Sequence, residues 1–245
     1  IRLGTLDERM AEFLSRCVQA KLNLIFSGAT GSGKTTMLEV LSAYIAEGER
    51  IVTIEDTLEL HLRQRHVVRL LTRNPNIEGK GEITIRDLFI NSLRMRPERI
   101  ILGEIRGAEA LDYLQALNSG HDGALAVIHA STPEDVLLRL ENMAFYSGMQ
   151  LPVSSVRAQI AHGLDLIVQM SQLFDGSRKI VKISEVLEVE KDVVQVRPLF
   201  YFKGESVDDR GVVQGRFRSS GIVPRFIARC RDMGVVIDES MFTEG

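Results

Sequence analysis

Gly28-Ala29-Thr30-Gly31-Ser32-Gly33-Lys34-Thr35 is a complete G-x-x-x-x-G-K-[ST] pattern, and its reading decides the fold. Ahead of it, Leu22 to Ser27 is a short apolar run that reads as a buried strand. Behind it, Leu38, Leu41 and Ile45 recur on one face of a predicted helix. Strand, glycine loop and helix in that order make a phosphate site. Glycines let the backbone fold back so that several N–H groups converge on one anion. Gly28, Thr30, Gly31, Ser32 and Gly33 are therefore the expected cradle, with Thr36 counted beside them. The helix N-terminus adds its dipole, and Lys34 adds a mobile charge for the β- and γ-phosphates. The Thr35 hydroxyl is placed to ligate Mg²⁺.

Outward from the loop, strands and helices alternate. Upstream, Thr5-Leu6-Asp7-Glu8 has the spacing of a capping box with Thr5 as N-cap. Met10, Phe13, Leu14, Cys17 and Val18 follow at helical spacing. Downstream, Ile51 to Ile54 reads as a buried strand that delivers Glu55, Asp56 and Glu59 at its C-terminal end. In open parallel sheets that is the edge where ligands sit. Residues 61–82 are rich in Arg and His, then Asn and Gly, with a possible strand at Val67 to Leu71. Two readings stand for this stretch: a solvated surface, or a contact with nucleotide or a neighbouring subunit. Thr84 with Asp87 caps a helix that stops at Pro97. Arg99 to Leu102 is a third strand, closing on Gly103-Glu104. A helix over about 108–118, a strand over 124–128 ending on His129, and a helix opened by Thr132-Pro133 come next. A helix from Val153 and a strand at Leu166 to Val168 complete the series.

With the phosphate loop, this rhythm predicts an α/β P-loop NTPase domain with a mostly parallel sheet and helices on both faces. We expect it to span 1–175. Residues 176–245 change style, with antiparallel hairpins over Ile180 to Glu188 and Val193 to Phe202. From Gly204 onward the chain reads as turn-rich, with one helical piece near Ile227. That part is the expected C-terminal β-rich and helical appendage.

Composition narrows the class. With 245 residues, 44% hydrophobic and 26% charged, the chain buries a core and is not disordered. A net charge of −3 supplies no basic field for nucleic acid, so none is expected as a partner. No apolar run reaches the roughly 18–20 residues that span a bilayer, and no signal peptide is visible. Cys17 and Cys230 lack zinc-ligand spacing, and Cys17 reads as a core residue. These features fit a reducing cytoplasm. The chain opens at Ile1 rather than Met, as a fragment would.

Binding phosphate is not hydrolysis, which needs a metal-holding carboxylate, a group for the attacking water and positive charge on the transition state. Glu104 follows an apolar strand as a Walker B acid does, although the usual Asp-Glu pair is here Gly103-Glu104. The division of labour places Glu104 on the metal shell and either Glu59 or Glu55 on the water. His129 projects to the same edge, where an imidazole can hydrogen-bond a γ-phosphate; His121 closes a turn. Arg94, Arg96 and Arg106 are candidate cations, for their own site or a neighbour's. The guanine-reading N-K-x-D is missing, which argues against a small GTPase.

As a set, these residues resemble a known family. The phosphate loop, Thr53 to Glu59, Leu93-Arg94-Met95-Arg96-Pro97, Gly103 to Gly107 and Gly120-His121-Asp122-Gly123 through His129-Ala130 stand in the order of the type II and type IV secretion ATPases. They correspond to its Walker A, Asp, Walker B and His boxes. The sequence is most similar to the CpaF-like Flp/Tad pilus assembly ATPases and the type IV secretion ATPases beside them. The resemblance implies that the α/β domain is RecA-like and works in a hexameric ring that hydrolyses ATP with Mg²⁺ and drives pilus assembly or secretion. Its partners would be inner-membrane platform proteins, with the ring cytoplasmic and peripheral on that membrane. It also implies that Glu59 is the general base, that Glu104 belongs to the Mg²⁺ shell and that His129 faces the γ-phosphate. The family's N-terminal domain and the tetracysteine zinc module of the type II and pilus-extension branch are both missing, so weak ring formation is expected. A RecA-like nucleic-acid translocase and a nucleotide-gated assembly module are the alternatives.

Overall fold

The computed structural model describes residues 1–243; Glu244 and Gly245, the end of the expected appendage, lie outside the described residues. The helices are α1 (Glu8–Gln19), α2 (Lys34–Ser42), α3 (Ile85–Ser92), α4 (Glu109–Leu117), α5 (Pro133–Phe145), α6 (Val153–Gly163) and α7 (Ile227–Asp232). The strands are β1 (Leu24–Ser27), β2 (Ile51–Glu55), β3 (Val67–Leu71), β4 (Arg99–Leu102), β5 (Leu125–Ile128), β6 (Leu166–Gln172), β7 (Arg178–Glu190), β8 (Val193–Val207) and β9 (Val213–Ser219). All nine form one sheet in the order β3-β2-β4-β5-β1-β6-β7-β8-β9.

Five of the eight strand pairings, from β3 to β6, are parallel, as the alternating rhythm predicts. β1, β2, β4 and β5 are buried at every residue, which is why they read as continuous apolar runs. Alternate side chains serve two cores. Leu24 and Phe26 pack toward α1 and α2, whereas Ile25 packs toward α3, α4, α5 and α6. Because the crossovers return the chain to parallel strands, the C-terminal ends of β1, β2, β4 and β5 share one rim.

Two local expectations are corrected. Asp7, not Thr5, caps α1: its carboxylate accepts the Met10 N–H at 2.8 Å. The Thr5 carbonyl is instead drawn to the Ile180 N–H at 2.9 Å, which fixes Thr5 against β7. And residues from Gly204 on are not merely turns, because β8 continues to Val207 and β9 pairs with it. The caps at Thr84 and Thr132 are as expected, each hydroxyl accepting the backbone N–H three residues on.

The expected boundary at 175/176 falls in the turn joining β6 to β7, and these two strands are antiparallel neighbours. The residues beyond it share a core with the first helix. Phe13 of α1 lies 5.3 Å from Phe200, 6.3 Å from Phe226 and 5.5 Å from Phe242, ring centre to ring centre. Removing a fully buried Phe costs about 3–5 kcal/mol. Phe13→Ala is therefore expected to lower the urea midpoint by that free energy and to expose 220–243 to protease first. A loss under about 1 kcal/mol would show that this cluster does not join the two parts.

Candidate functional site

The phosphate loop runs from the end of β1 into α2, with Gly33 as the N-cap residue and Lys34 as the first helical residue. It is braced from behind by β6. A Cβ on Gly28 would stand 2.3 Å from the Met170 carbonyl oxygen, so only glycine lets the loop leave β1 this close to its neighbour. From the next strand, Arg178 Nε donates to the Gly31 carbonyl at 2.7 Å. Ser32 is fully buried, and its hydroxyl has no protein partner. Lys34 is 5% exposed, and its ammonium donates to the Ala29 carbonyl at 2.8 Å.

A cleft of about 310 Å³ opens above the loop. Lys34, Thr35, Glu55, Glu59, Glu104 and His129 all line it, together with Thr30 and Gly31. The acids and the imidazole thus come from β2, β4 and β5, strands that lie side by side. His129 Nε2 stands 3.7 Å from Glu104 Oε1. Burial pulls the Lys34 ammonium below its ordinary pKa, against the carboxylates of Glu104 and Glu59, which hold it up. Burial also lowers the His129 pKa, helped by the charges of Lys34 and Arg139 and opposed by Glu104. Lys34 thus feels Glu104 and Glu59, and His129 feels Lys34 and Glu104.

Glu55 and Glu59 are not equivalent. Glu55 is 3% exposed, and its Oε1 accepts the N–H groups of Glu59 and Leu60 at 3.0 and 2.9 Å. It therefore fixes the turn that carries Glu59. Its Oε2 is buried without a protein partner. A Cβ on residue 103 would sit 3.0 Å from Glu55 Cγ, so Gly103 leaves the space that Glu55 fills. Glu59 itself is exposed at the mouth of the cleft.

The other expected residues scatter. Thr36 is exposed and faces a second, larger hollow of about 1370 Å³ beside the loop, lined also by Arg2, Tyr44 and Arg178. Arg106 pairs with Asp56, which does line the cleft. Arg94 is exposed on a 3-10 turn and takes no part in the cleft wall. Of the basic stretch, His61, Arg63 and Arg65 point to solvent while Leu60, Leu62 and Gln64 alternate with them inside. None of these lines the cleft. Sequence reasoning missed Arg178 and the buried Gln169 on β6, whose partners Gly31 and Ser27 are more than a hundred residues away. Only a polar residue in the otherwise apolar run 166–170 could have signalled the latter.

The donor set fits a magnesium nucleotide. Among the described residues no group of three or more His, Cys, Asp or Glu is placed to hold a metal alone. Mg²⁺ asks for less, since it takes one or two protein oxygens and fills its shell with phosphate and water. Thr35 and Glu104 offer those oxygens, and the orphaned Glu55 Oε2 and Ser32 hydroxyl await a polar partner.

A family model described as "Type II/IV secretion system protein" matches residues 1–207. The chain belongs to that family. Among its relatives is the type IV secretion system protein VirB11 of Bartonella henselae, 36% identical over 176 residues, which cover 70% of this chain and 48% of that protein. The crystal structure of the VirB11 ATPase from the Brucella suis type IV secretion system, in complex with sulphate, superposes with a TM-score of 0.65. It is 34% identical, over 72% of this chain and 52% of that one. The Legionella pneumophila ATPase DotB shares the fold at 21% identity and a TM-score of 0.56, over 76% of this chain and 50% of that one. The chain spans about half the length of the curated relatives it matches. Among the described residues of this family member, no helix is long and apolar enough to cross a membrane.

Proposed function

We propose that this chain is the nucleotide-hydrolysing part of an ATP-driven motor subunit of a pilus or secretion machine. The observation that carries the reading is the convergence of Lys34, Glu59, Glu104 and His129 on one cleft above the phosphate loop. The loop amides and Lys34 hold the phosphates. Thr35 and Glu104 hold Mg²⁺, which when bound offsets charge on the phosphate oxygens. Glu59 is the general base, and Glu55 the residue that fixes its turn. Glu59 takes a proton from the attacking water as the water oxygen bonds to the γ-phosphorus and the bond to the ADP oxygen breaks. Supporting Glu59 over Glu55 is the state of the two carboxylates. One oxygen of Glu55 is committed to two backbone N–H groups, while Glu59 stands at the cleft mouth.

In the same reading the subunit works in a hexameric ring at the cytoplasmic face of the inner membrane, against platform proteins there. Arg106, beside Asp56 at the cleft rim, serves its own site. Arg94, exposed and outside the cleft wall, serves a neighbour's. The test is phosphate release from ATP. It is expected to need Mg²⁺, to stop with a chelator in excess and to ignore single-stranded DNA. Several-fold stimulation by single-stranded DNA, weakening with salt, would favour a translocase instead. Oligomerisation with ATP but no phosphate release would favour the gated assembly module.

A further inference from the structure

We propose that Gln169 is a positioning residue for recognition of the γ-phosphate: it ties the strand beneath the phosphate loop to the turn that follows His129. This rests on the nucleotide reading above. β6 and β5 flank β1, and the register sets Gln169, Ser27 and Ile128 in one row across the three strands. Ser27 is the last residue before the loop, and Ile128 the last before His129. The Gln169 amide bridges both. Its Oε1 accepts the Ser27 hydroxyl, and its Nε2 donates to the carbonyls of Ala130 and Ser131 at 3.2 and 3.1 Å.

The residue is out of place by composition. Leu166, Ile167, Val168 and Met170 around it are apolar and buried, and Gln169 is itself only 3% exposed. A buried amide is costly unless its hydrogen bonds are made, and here three are made to two separate segments. An apolar side chain would fill the space and leave the Ser27 hydroxyl and both carbonyls to find other partners. β6 also breaks register between Gln169 and Met170, the step at which the Met170 carbonyl comes against Gly28. Such irregularities re-aim side chains beside functional sites. Met170 therefore sets the loop's path while Gln169 sets the distance from the loop to the 129–131 turn.

That distance matters for one group of the ligand. His129 stands at the cleft with Lys34 and Glu104, at the end of β5, and reaches the γ-phosphate only if the turn beyond it is held. ADP lacks that phosphate, so slackening the tie should cost ATP and spare ADP.

The experiment measures Kd for ATP and for ADP, each with Mg²⁺, in the wild-type chain, Gln169→Leu, His129→Ala and the double variant, with urea unfolding of each. A hydrogen bond to a charged group corresponds to about a tenfold or greater change in affinity. His129→Ala is expected to cut the ATP preference by about that factor. Gln169→Leu is expected to cut it about fivefold or more while ADP stays within about twofold, and to add nothing to His129→Ala. If Gln169→Leu does not fold, Gln169→Met, which keeps the side chain's length, carries the same measurement. Losses that add in the double variant would overturn the proposal, as would equal losses for ATP and ADP, which a merely structural brace predicts. An unchanged preference in His129→Ala would instead overturn the reading of His129, and this inference with it. Failure of the wild-type chain to bind either nucleotide would mark failure of the nucleotide reading itself.

Discussion

Lys34→Ala is expected to lower ATP turnover at least about a hundredfold and to take tight nucleotide binding with it. The side chain is almost fully buried, yet only one of its three donors is accepted within the loop, by the Ala29 carbonyl. In the proposed reading the remaining donors and the full charge go to the phosphates. Burial already disfavours that charge, and Glu104 and Glu59 keep it in place. Removing it leaves those two carboxylates facing a phosphate chain with no cation from the protein between them. A single donor aimed at developing charge is worth about 10²–10³ in rate. Folding should survive, because a buried ammonium gives way to a small apolar group; the urea midpoint checks this. Normal steady-state phosphate release in the variant would sink the motor reading.

Glu59→Gln should separate binding from chemistry. The substitution keeps the backbone N–H that Glu55 accepts, so the turn holds its shape. It keeps the side chain's size but removes the group that takes the water's proton. Loss of a general base costs about 10²–10⁴ in rate. Nucleotide affinity should stay within about threefold, since in this reading the phosphates are held by the loop and Lys34. Glu55→Gln is the contrast. It retains one acceptor oxygen for the two N–H groups, and its effect on turnover should be smaller than that of Glu59→Gln. The reverse ranking would make Glu55 the base.

Much of the site was legible because its parts are local. The phosphate loop carries its own spacing, and each candidate acid or imidazole follows a short β-branched or apolar run. Buried parallel strands must read this way, and their C-terminal ends must meet at one rim. The caps at Thr84 and Thr132 are likewise written within four residues. What stayed hidden is contact across long separations. Ser27 and Gln169 lie 142 residues apart, and Arg178 reaches Gly31 over 147. Arg99 read as the start of an apolar strand, yet its guanidinium is buried against Glu49 at 2.7 Å and the Val18 carbonyl at 2.8 Å. β9 was hidden for a different reason. At the sheet's edge only one of its seven residues is buried, so Gln214, Gly215, Arg216 and Arg218 replace the apolar pattern that marks a buried strand. At α1 the expected cap was Thr5, and the structure uses Asp7. Tertiary pairing of Thr5 with β7 left Asp7 to do the capping.

The most direct test is a crystal structure of Glu59→Gln with ATP and Mg²⁺ bound. It should show the residue-59 side chain within hydrogen-bond reach of the water in line with the γ-phosphate, Glu104 in the metal's shell and His129 on the γ-phosphate. If side chain 59 points away from that water and the carboxylate of Glu55 contacts it instead, the proposed division of labour is wrong. If the nucleotide lies outside the cleft, the claim of one converging site fails altogether.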